Sequence, residues 1–586
     1  MPAAQVVAAL LGAGALGLAL LAFGARARRL LSLPVTPALR LPVDLVVGGW
    51  AYAVASLLLG LLHAWHWATL LGAALALGAA GRFRGAGWRW ATALPAAAAG
   101  LLVLPVALDP PFFYDALVYH LGLPWQALLE RGLRAHPEDL FAAFPPLTQL
   151  VNAPLLAAGL ERAPAVLHWL GFVAAGAAAS ALARALGAPR WGAALAGACL
   201  PLLPCAALVA GLPASEAWCV VGTVTAFALL AQLRLPAGGE ALVGLLAGVA
   251  AAARLQGLAW GLVILAVVLW RRASAKSLAL AAGGWIAGAA PWWVKNLVLL
   301  GDPVAPLLWH REGMDTLWRD AGSVMHAAAG AGHLWRTTLA AVMPQASYLA
   351  PALLAAALAA TVRARPRDRA VALAVVAGLA GWALTGNLPR FLAVPVALTL
   401  ALAAAAGGRS AAGRWASALA LGVTLAFGTA VSVNEVVRWH AGAASLAEPA
   451  AVRARLVVNN PTPAFAAAAV LPVDARVLFV GEPRGFGFPR RFVAPSQHDV
   501  SPLRGLLRDS ASPAQVCERL RAAGFTHLLV NWGELARLER AYPVAPWVDV
   551  GGWRRWNAFV AALGPPTVQA GAVAIFALPG ANPPAV

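Results

Sequence analysis

Charge is what this sequence has least of. Charged residues fill 11% of its 586 positions, against ~25% in soluble globular proteins. The shortfall runs along most of the chain. It excludes an ordinary soluble enzyme, a disordered chain and a nucleic-acid-binding domain. Lysine is almost missing, with Lys276 and Lys295 the only two. The formal net charge of +19 is therefore an arginine excess. Those arginines sit between apolar runs, a pattern of orientation in a bilayer rather than of nucleic-acid binding. Cysteine is scarce too: Cys199, Cys205, Cys219 and Cys517 form no CxxC or metal spacing, so neither a disulfide framework nor a thiolate metal centre is implied. The N-terminus has no basic region before its first apolar run. Arg26, Arg28 and Arg29 follow that run instead, so residues 4–24 are expected to remain as a membrane helix rather than be cleaved as a signal.

What fills the space is apolar. Hydrophobic residues make up 61% of the chain, and the mean hydropathy is +0.74. A membrane-crossing helix needs about 20 mostly apolar residues. Such runs fall near 4–24, 43–61, 63–81, 91–108, 165–186, 191–211, 215–233, 241–255, 257–270, 277–293, 345–362, 370–386, 391–407 and 415–433. Several are short, so about 12–14 transmembrane helices are expected. Their Gly and Ala content suits close helix packing in lipid.

The connections alternate in charge. One set carries Arg26–Arg29, Arg82–Arg89, Arg184–Arg190, Arg234, Arg271–Lys276, Arg363–Arg369 and Arg409–Arg414. The other carries most of the acids, among them Asp109, Asp115, Glu130, Glu138, Asp139, Glu161, Glu216, Asp302, Glu312, Asp315 and Asp320. Basic short loops face the cytoplasm. The N-terminus, loop 109–164, loop 294–344 and the tail from 434 are then expected outside. In 115–134, Leu117, Leu121, Trp125, Leu128 and Leu129 recur at helical spacing. That predicts an interface helix with Trp125 at headgroup depth. The tail reads as a small α/β domain over 434–586. Strands are expected at Arg476–Gly481, His527–Asn531 and Ala572–Leu578, with a helix over Pro513–Gly524. The fold class expected is thus an α-helical polytopic membrane protein, residues 1–433, with amphipathic outer-face loop helices and a C-terminal α/β extracytoplasmic domain.

Four stretches carry chemistry. In Leu108–Asn152, Asp109 and Asp115 lie where a span emerges, and Pro110 and Pro111 stop that helix. Asp115 reads either as a helix N-cap or as a base, and Asp109 as a solvated loop acid or its alternate. Tyr114, Tyr119 and His120 surround Asp115, in a chain with only five tyrosines. In Ala290–Trp309, Lys295 follows a Trp-Trp belt and reads either as a snorkelling lysine or as an anion ligand. Arg254, in AAAARLQGLAW, and Arg390, in GNLPRFLAVP, sit at the outer ends of spans. Arg254 is a turn residue or an intramembrane functional charge. Three cations on one leaflet beside an acidic loop suit a phosphate or pyrophosphate, with a carboxylate as base. Glu216, in PASEAW, is a further acid at that level.

Together these stretches resemble the C-type (GT-C) membrane glycosyltransferases, in the bacterial branch related to protein O-mannosyltransferases and the lipid A aminoarabinose transferase. The carrying motifs are YDALVYHLGLPWQALLERG at 114–132, RLQG at 254–257, PWWVKNLVLLGDPVAPL at 291–307, and the tail signature RVLFVGEPRGFGFPRR followed by LRAAGFTHLLVN. The chain departs from the family in lacking an adjacent Asp-Glu or Asp-Asp pair. It also has three spans, where relatives commonly have one, before the span that leads into the acidic loop. The resemblance implies a glycosyltransferase of the bacterial inner membrane. Its donor would be a polyprenyl-phosphate-linked sugar, and its acceptor a glycan, lipid or protein. An acid of the first outer loop, mapping onto Asp115 or Asp109, would act as base or bind a metal. Tyr119, His120, Arg254, Lys295 and Arg390 would line the substrate site. A divalent Mg or Mn ion is a possible cofactor, with Asp115, His120 and Glu216 as candidate ligands. A transporter or flippase is the alternative, and predicts charges at the bilayer midplane. A non-catalytic scaffold with an outer domain is a further one, and gives no reason for amphipathic acidic loops.

Overall fold

The computed structural model describes residues 2–307 and 366–580, apart from 34, 82–85, 204, 206–208, 233–237, 272–273, 386–388, 441–445 and 543. The expected run 345–362 and the loop acids Glu312, Asp315 and Asp320 lie outside the described residues. Among those described, four helices are long and apolar enough to cross a membrane: Pro2–Leu30, Arg40–Leu61, Ala163–Ala185 and Ala411–Trp439. Shorter apolar helices pack around them, including Trp67–Ala80, Glu216–Leu230, Gly239–Ala253 and Gln256–Trp270. Ala163–Ala185 is central, with nearly every residue buried.

Proline redraws two of the expected runs. The stretch 91–108 is not one span but two short helices, Leu94–Gly100 and Leu104–Ala107, each starting at a proline. Pro95 and Pro105 lack the N–H that a continuous helix would need, and are at ease in a first turn. The run 191–211 likewise stops as a helix at Cys199, and a 3-10 turn over Leu200–Leu202 holds Pro201. In the opposite sense, the helix expected to end near 293 runs over Ala275–Leu300. It stops at Gly301, whose φ of +74° gives a left-handed C-cap.

Glycine lets two of the helices touch. Gly244 and Gly248 face Gly284 and Gly288 across Gly239–Ala253 and Ala275–Leu300. A Cβ on any of the four would strike the partner backbone, the small-xxx-small packing used in lipid. Gly248→Leu is therefore expected to separate the pair. Loss of the monodisperse folded protein in detergent, with Ala tolerated better than Leu, is the readout.

Hydrogen bonds tie several of the connections to one another. At one end Arg28 pairs with Asp44 at 2.7 Å and donates to the Ala86 carbonyl, while Trp88 donates to Asp44 at 2.7 Å. Arg271 and Gln232 meet at that end, and Gln232 reaches Thr36. At the other end Arg162 reaches the Leu108 carbonyl, and Trp65 bonds through its backbone to Arg131.

The tail forms a five-stranded sheet from β1 (Arg476–Val480), β2 (Arg491–Val493), β3 (His527–Asn531), β4 (Val568–Ala570) and β5 (Val573–Ala577), in the order β2-β1-β3-β5-β4. β1 is parallel to both β2 and β3, and β5 runs antiparallel to β3 and β4. Alternation along the strands divides the core. Leu478, Val480, Leu528 and Val530 lie under the helices of one face. Val477, Phe479, Phe492 and Ile575 meet Phe465 and Phe488 on the other.

That second face packs against Trp125 and Leu129 of loop 109–164, where a helix lying in the membrane interface is expected. The segment is a π-helical turn, Ala116–His120, followed by an α-helix, Gly122–Leu129. Trp125 is engaged by protein. Its indole donates to the Phe488 carbonyl at 2.8 Å and its ring meets Phe486 edge-on. The same helical spacing would serve lipid or protein, and here protein covers the apolar face.

His136 braces the loop that carries these contacts. It lies between Glu130 at 3.0 Å and Glu138 at 3.1 Å. Burial opposes its charge, but the two carboxylates outweigh burial and raise its pKa from 6.5 to about 10. A raised folded-state value means stability that is complete below pH 6.5 and lost as pH rises through about 10. Thermal unfolding of the full chain is expected to weaken across that window, and His136→Gln to flatten the slope.

Candidate active site

Asp115 follows Pro110-Pro111-Phe112-Phe113, where the chain leaves the short helix ending at Ala107. It makes no capping bond from its side chain, which sets aside the N-cap reading. Its carboxylate instead accepts from Arg390 Nη2 at 2.7 Å and from Tyr119 Oη at 3.3 Å. The Asp115 and Arg390 side chains are each 19% exposed, so the pair is partly open.

Arg390 also approaches Glu216, its Nε 3.6 Å from Oε1. That Nε is buried and makes no hydrogen bond among the described residues. Arg254 pairs with the same Glu216 oxygen, Oε1, at 2.5 Å, and donates to Ser215 Oγ at 3.1 Å and Gln256 Oε1 at 2.7 Å. Phe391 lies under both guanidiniums, 4.9 Å from Arg254 and 5.9 Å from Arg390. The site is thus two arginines alternating with two carboxylates over one aromatic ring. Glu216 opens the helix Glu216–Leu230, and its turn is held by the Ala217 amide, which donates to His168 Nε2 at 3.1 Å.

Tyr119 and His120 join the cluster. Burial raises the Tyr119 hydroxyl above its ordinary range, and the Asp115 charge adds to this. Burial holds the His120 imidazole down to about 3, against the pull of Glu216 and Asp115. It is a neutral neighbour rather than a cation.

Two expected members stand apart. Asp109 is not a solvated acid: it is 3% exposed, and its charge acts on Arg162. Lys295 is buried, and its ammonium donates to the carbonyls of Ala142 and Phe144. No bond joins it to Arg254 or Arg390 among the described residues. With Trp292 and Asn296, which donate to the Ala143 carbonyl at 2.9 and 2.8 Å, it holds the turn Leu140–Ala143. That turn presents Phe141, stacked on Tyr119 at 4.4 Å. Among the described residues, Phe141 and Tyr119 link the turn that Lys295 holds to Asp115.

The candidate metal ligands Asp115, His120 and Glu216 do not fit a divalent ion. Both carboxylates are committed to guanidiniums, and no group of three His, Cys, Asp or Glu able to hold a metal occurs among the described residues. Positive charge at this site comes from arginine. Phe141, Phe391, Ser215 and Gln256 were not anticipated as site residues. Phe391 and Gln256 adjoin Arg390 and Arg254 in sequence, a usable signal. Phe141 had none, because a helix distant in the chain places it.

The chain is similar to solved structures of ArnT from Cupriavidus metallidurans. With the apo state the TM-score is 0.49 at 16% identity, over 83% of this chain and 97% of that one. With the form bound to undecaprenyl phosphate it is 0.47 at 14%, over 84% and 98%. The chain is also similar to the oligosaccharyltransferase of Archaeoglobus fulgidus in complex with Zn and sulfate, with TM-score 0.45 at 15% identity, over 76% and 69%. No family model matches the chain, and no curated protein does.

Proposed function

We propose that the chain is an integral-membrane glycosyltransferase, passing a sugar from a polyprenyl-phosphate donor to an acceptor hydroxyl on the extracytoplasmic face of a bacterial inner membrane. The reading rests on the residues of the site, and one observation carries it. Asp115 is paired with an arginine whose Nε is buried without a hydrogen bond among the described residues. An unsatisfied guanidinium donor beside a partly open carboxylate suits a phosphate leaving group next to a base.

In this mechanism Arg390 and Arg254 hold the donor phosphate. Asp115 takes the proton of the acceptor hydroxyl as its oxygen bonds to the anomeric carbon. The bond from that carbon to the phosphate oxygen breaks, and the electron pair leaves with the phosphate onto the arginines. A single displacement inverts the carbon. Asp115 and Glu216 offset the positive charge that grows on the sugar ring. The tail domain lies over the loops and helps to bind the glycan, lipid or protein acceptor.

A transporter is supported less well. Among the described residues, buried charges of the apolar helices such as Arg28, Asp44, Glu216 and Lys295 sit near helix ends rather than at mid-span, where a transport site needs them. Native mass spectrometry of the purified protein tests the proposal. A co-purifying polyprenyl-phosphate sugar is expected, along with saturable binding of added undecaprenyl phosphate. Protein that carries no such lipid and binds none when supplied would sink it.

A further inference from the structure

In the tail sheet, the chain leaves β1 toward β2 on one side and crosses back to β3 on the other. The carboxyl ends of β1 and β3 therefore flank a switch point, the place where such sheets form a ligand crevice. Glu482 and Arg484 follow β1, Asn531 ends β3, and Glu534 and Arg537 lie on the helix Trp532–Leu538. All are tied together. Glu482 accepts from Arg484 at 2.6 Å and from Asn531 at 2.7 Å. Glu534 accepts from Arg537 at 2.8 Å and from Asn459 at 3.1 Å, with Arg484 3.8 Å away.

A side chain from the membrane part enters this ionic crevice. The Tyr114 ring lies 5.4 Å from the guanidinium carbon of Arg484 and 5.4 Å from that of Arg537. Its hydroxyl is buried and has no hydrogen-bond partner among the described residues, so the ring faces and not the hydroxyl make the attachment. Two further bonds grip the same segment. Arg453 Nε donates to the Pro111 carbonyl at 3.0 Å, and the Phe486 amide to the Leu117 carbonyl at 3.2 Å. Tyr114 is the residue before Asp115.

We infer that Tyr114 is a positioning residue, and that the tail domain, through Arg484 and Arg537 on its ring, sets the backbone that aims Asp115 at Arg390. The inference rests on the glycosyl-transfer reading only for the task it assigns to Asp115. The chemistry is cation–π: a guanidinium near an aromatic face is attracted by the ring quadrupole, more strongly once desolvated. Such a hold needs the ring and not the hydroxyl. It also couples two parts of the chain that are remote in sequence, so an acceptor that moves the tail domain would move the base.

The test uses the full chain in lipid nanodiscs. Tyr114→Phe, Tyr114→Leu and Arg537→Gln are compared by hydrogen–deuterium exchange over 112–121, where the Leu117 amide donates to the Phe113 carbonyl at 3.1 Å. Losing the two ring contacts is expected to speed exchange there by roughly tenfold in Tyr114→Leu, and by less in Arg537→Gln. Tyr114→Phe is expected to exchange as the wild type does. With a polyprenyl-phosphate sugar as substrate, kcat should fall in Tyr114→Leu and return in Tyr114→Phe, with KM for the donor unchanged. Wild-type exchange in Tyr114→Leu overturns the inference, as does exchange in Tyr114→Phe as fast as in Tyr114→Leu. A wild-type protein that turns over no polyprenyl-phosphate sugar overturns the glycosyl-transfer reading instead, and the exchange comparison still decides whether the tail holds Asp115.

Discussion

Asp115→Asn is expected to lower turnover of a polyprenyl-phosphate sugar by ~10²–10⁴-fold, the usual cost of losing a general base. The substitution is sharp because it changes little else. Asparagine keeps the shape, and its amide oxygen still accepts from Arg390 and Tyr119, the two partners of the native carboxylate. The lost charge weakens one charge-assisted bond in a partly open pair, a penalty of about 1–3 kcal/mol. No cap is lost, since the side chain makes none. A folded variant with near-normal turnover would remove Asp115 from the chemistry. The role would pass to Glu216, which shares the arginines, before Asp109, whose charge acts on Arg162.

Arg390→Ala and Arg254→Ala are expected to fail in different ways, although the sequence ranks the two arginines alike. Arg390 has the buried Nε without a hydrogen bond among the described residues. Removing it leaves Glu216 still paired with Arg254. The variant should fold, and its affinity for undecaprenyl phosphate should fall roughly 10–100-fold, the worth of one charge-assisted bond. Arg254 is the main partner of Glu216, a side chain 3% exposed. Its removal leaves a buried carboxylate with the longer approach of Arg390 at 3.6 Å and the Ser215 amide at 3.1 Å, a penalty of up to about 3 kcal/mol. Arg254→Ala should therefore lose thermal stability first. Lipid binding by native mass spectrometry, set beside thermal unfolding, separates the two. Unchanged lipid affinity in Arg390→Ala would end the phosphate assignment.

The fold was legible where its causes are local. Apolar length predicts helices at 4–24 and 43–61, and they stand at Pro2–Leu30 and Arg40–Leu61. A short apolar run after the turn glycine Gly524 predicts the strand His527–Asn531 at its observed bounds. Misreadings came where a local signal had two physical outcomes. The stripe through Leu117, Leu121 and Trp125 is apolar at helical spacing, and nothing local says whether lipid or the tail domain covers it. A lysine near a helix end can snorkel, bind an anion or cap carbonyls, and Lys295 caps the carbonyls of Ala142 and Phe144.

By itself, the sequence determined that the chain forms helices long and apolar enough to cross a membrane, because transfer of apolar groups acts residue by residue. It also singled out Asp115, Glu216, Arg254 and Arg390 as charges at the ends of apolar runs. Only the tertiary structure decided that these four form one cluster, since Asp115 and Arg390 are 275 positions apart and meet only through the packing of the helices between them. The same packing turned Lys295 away from the arginines and brought the tail domain onto Tyr114. Contacts of that kind depend on how helices cross and on which small residues let them approach, quantities that no single stretch of sequence carries.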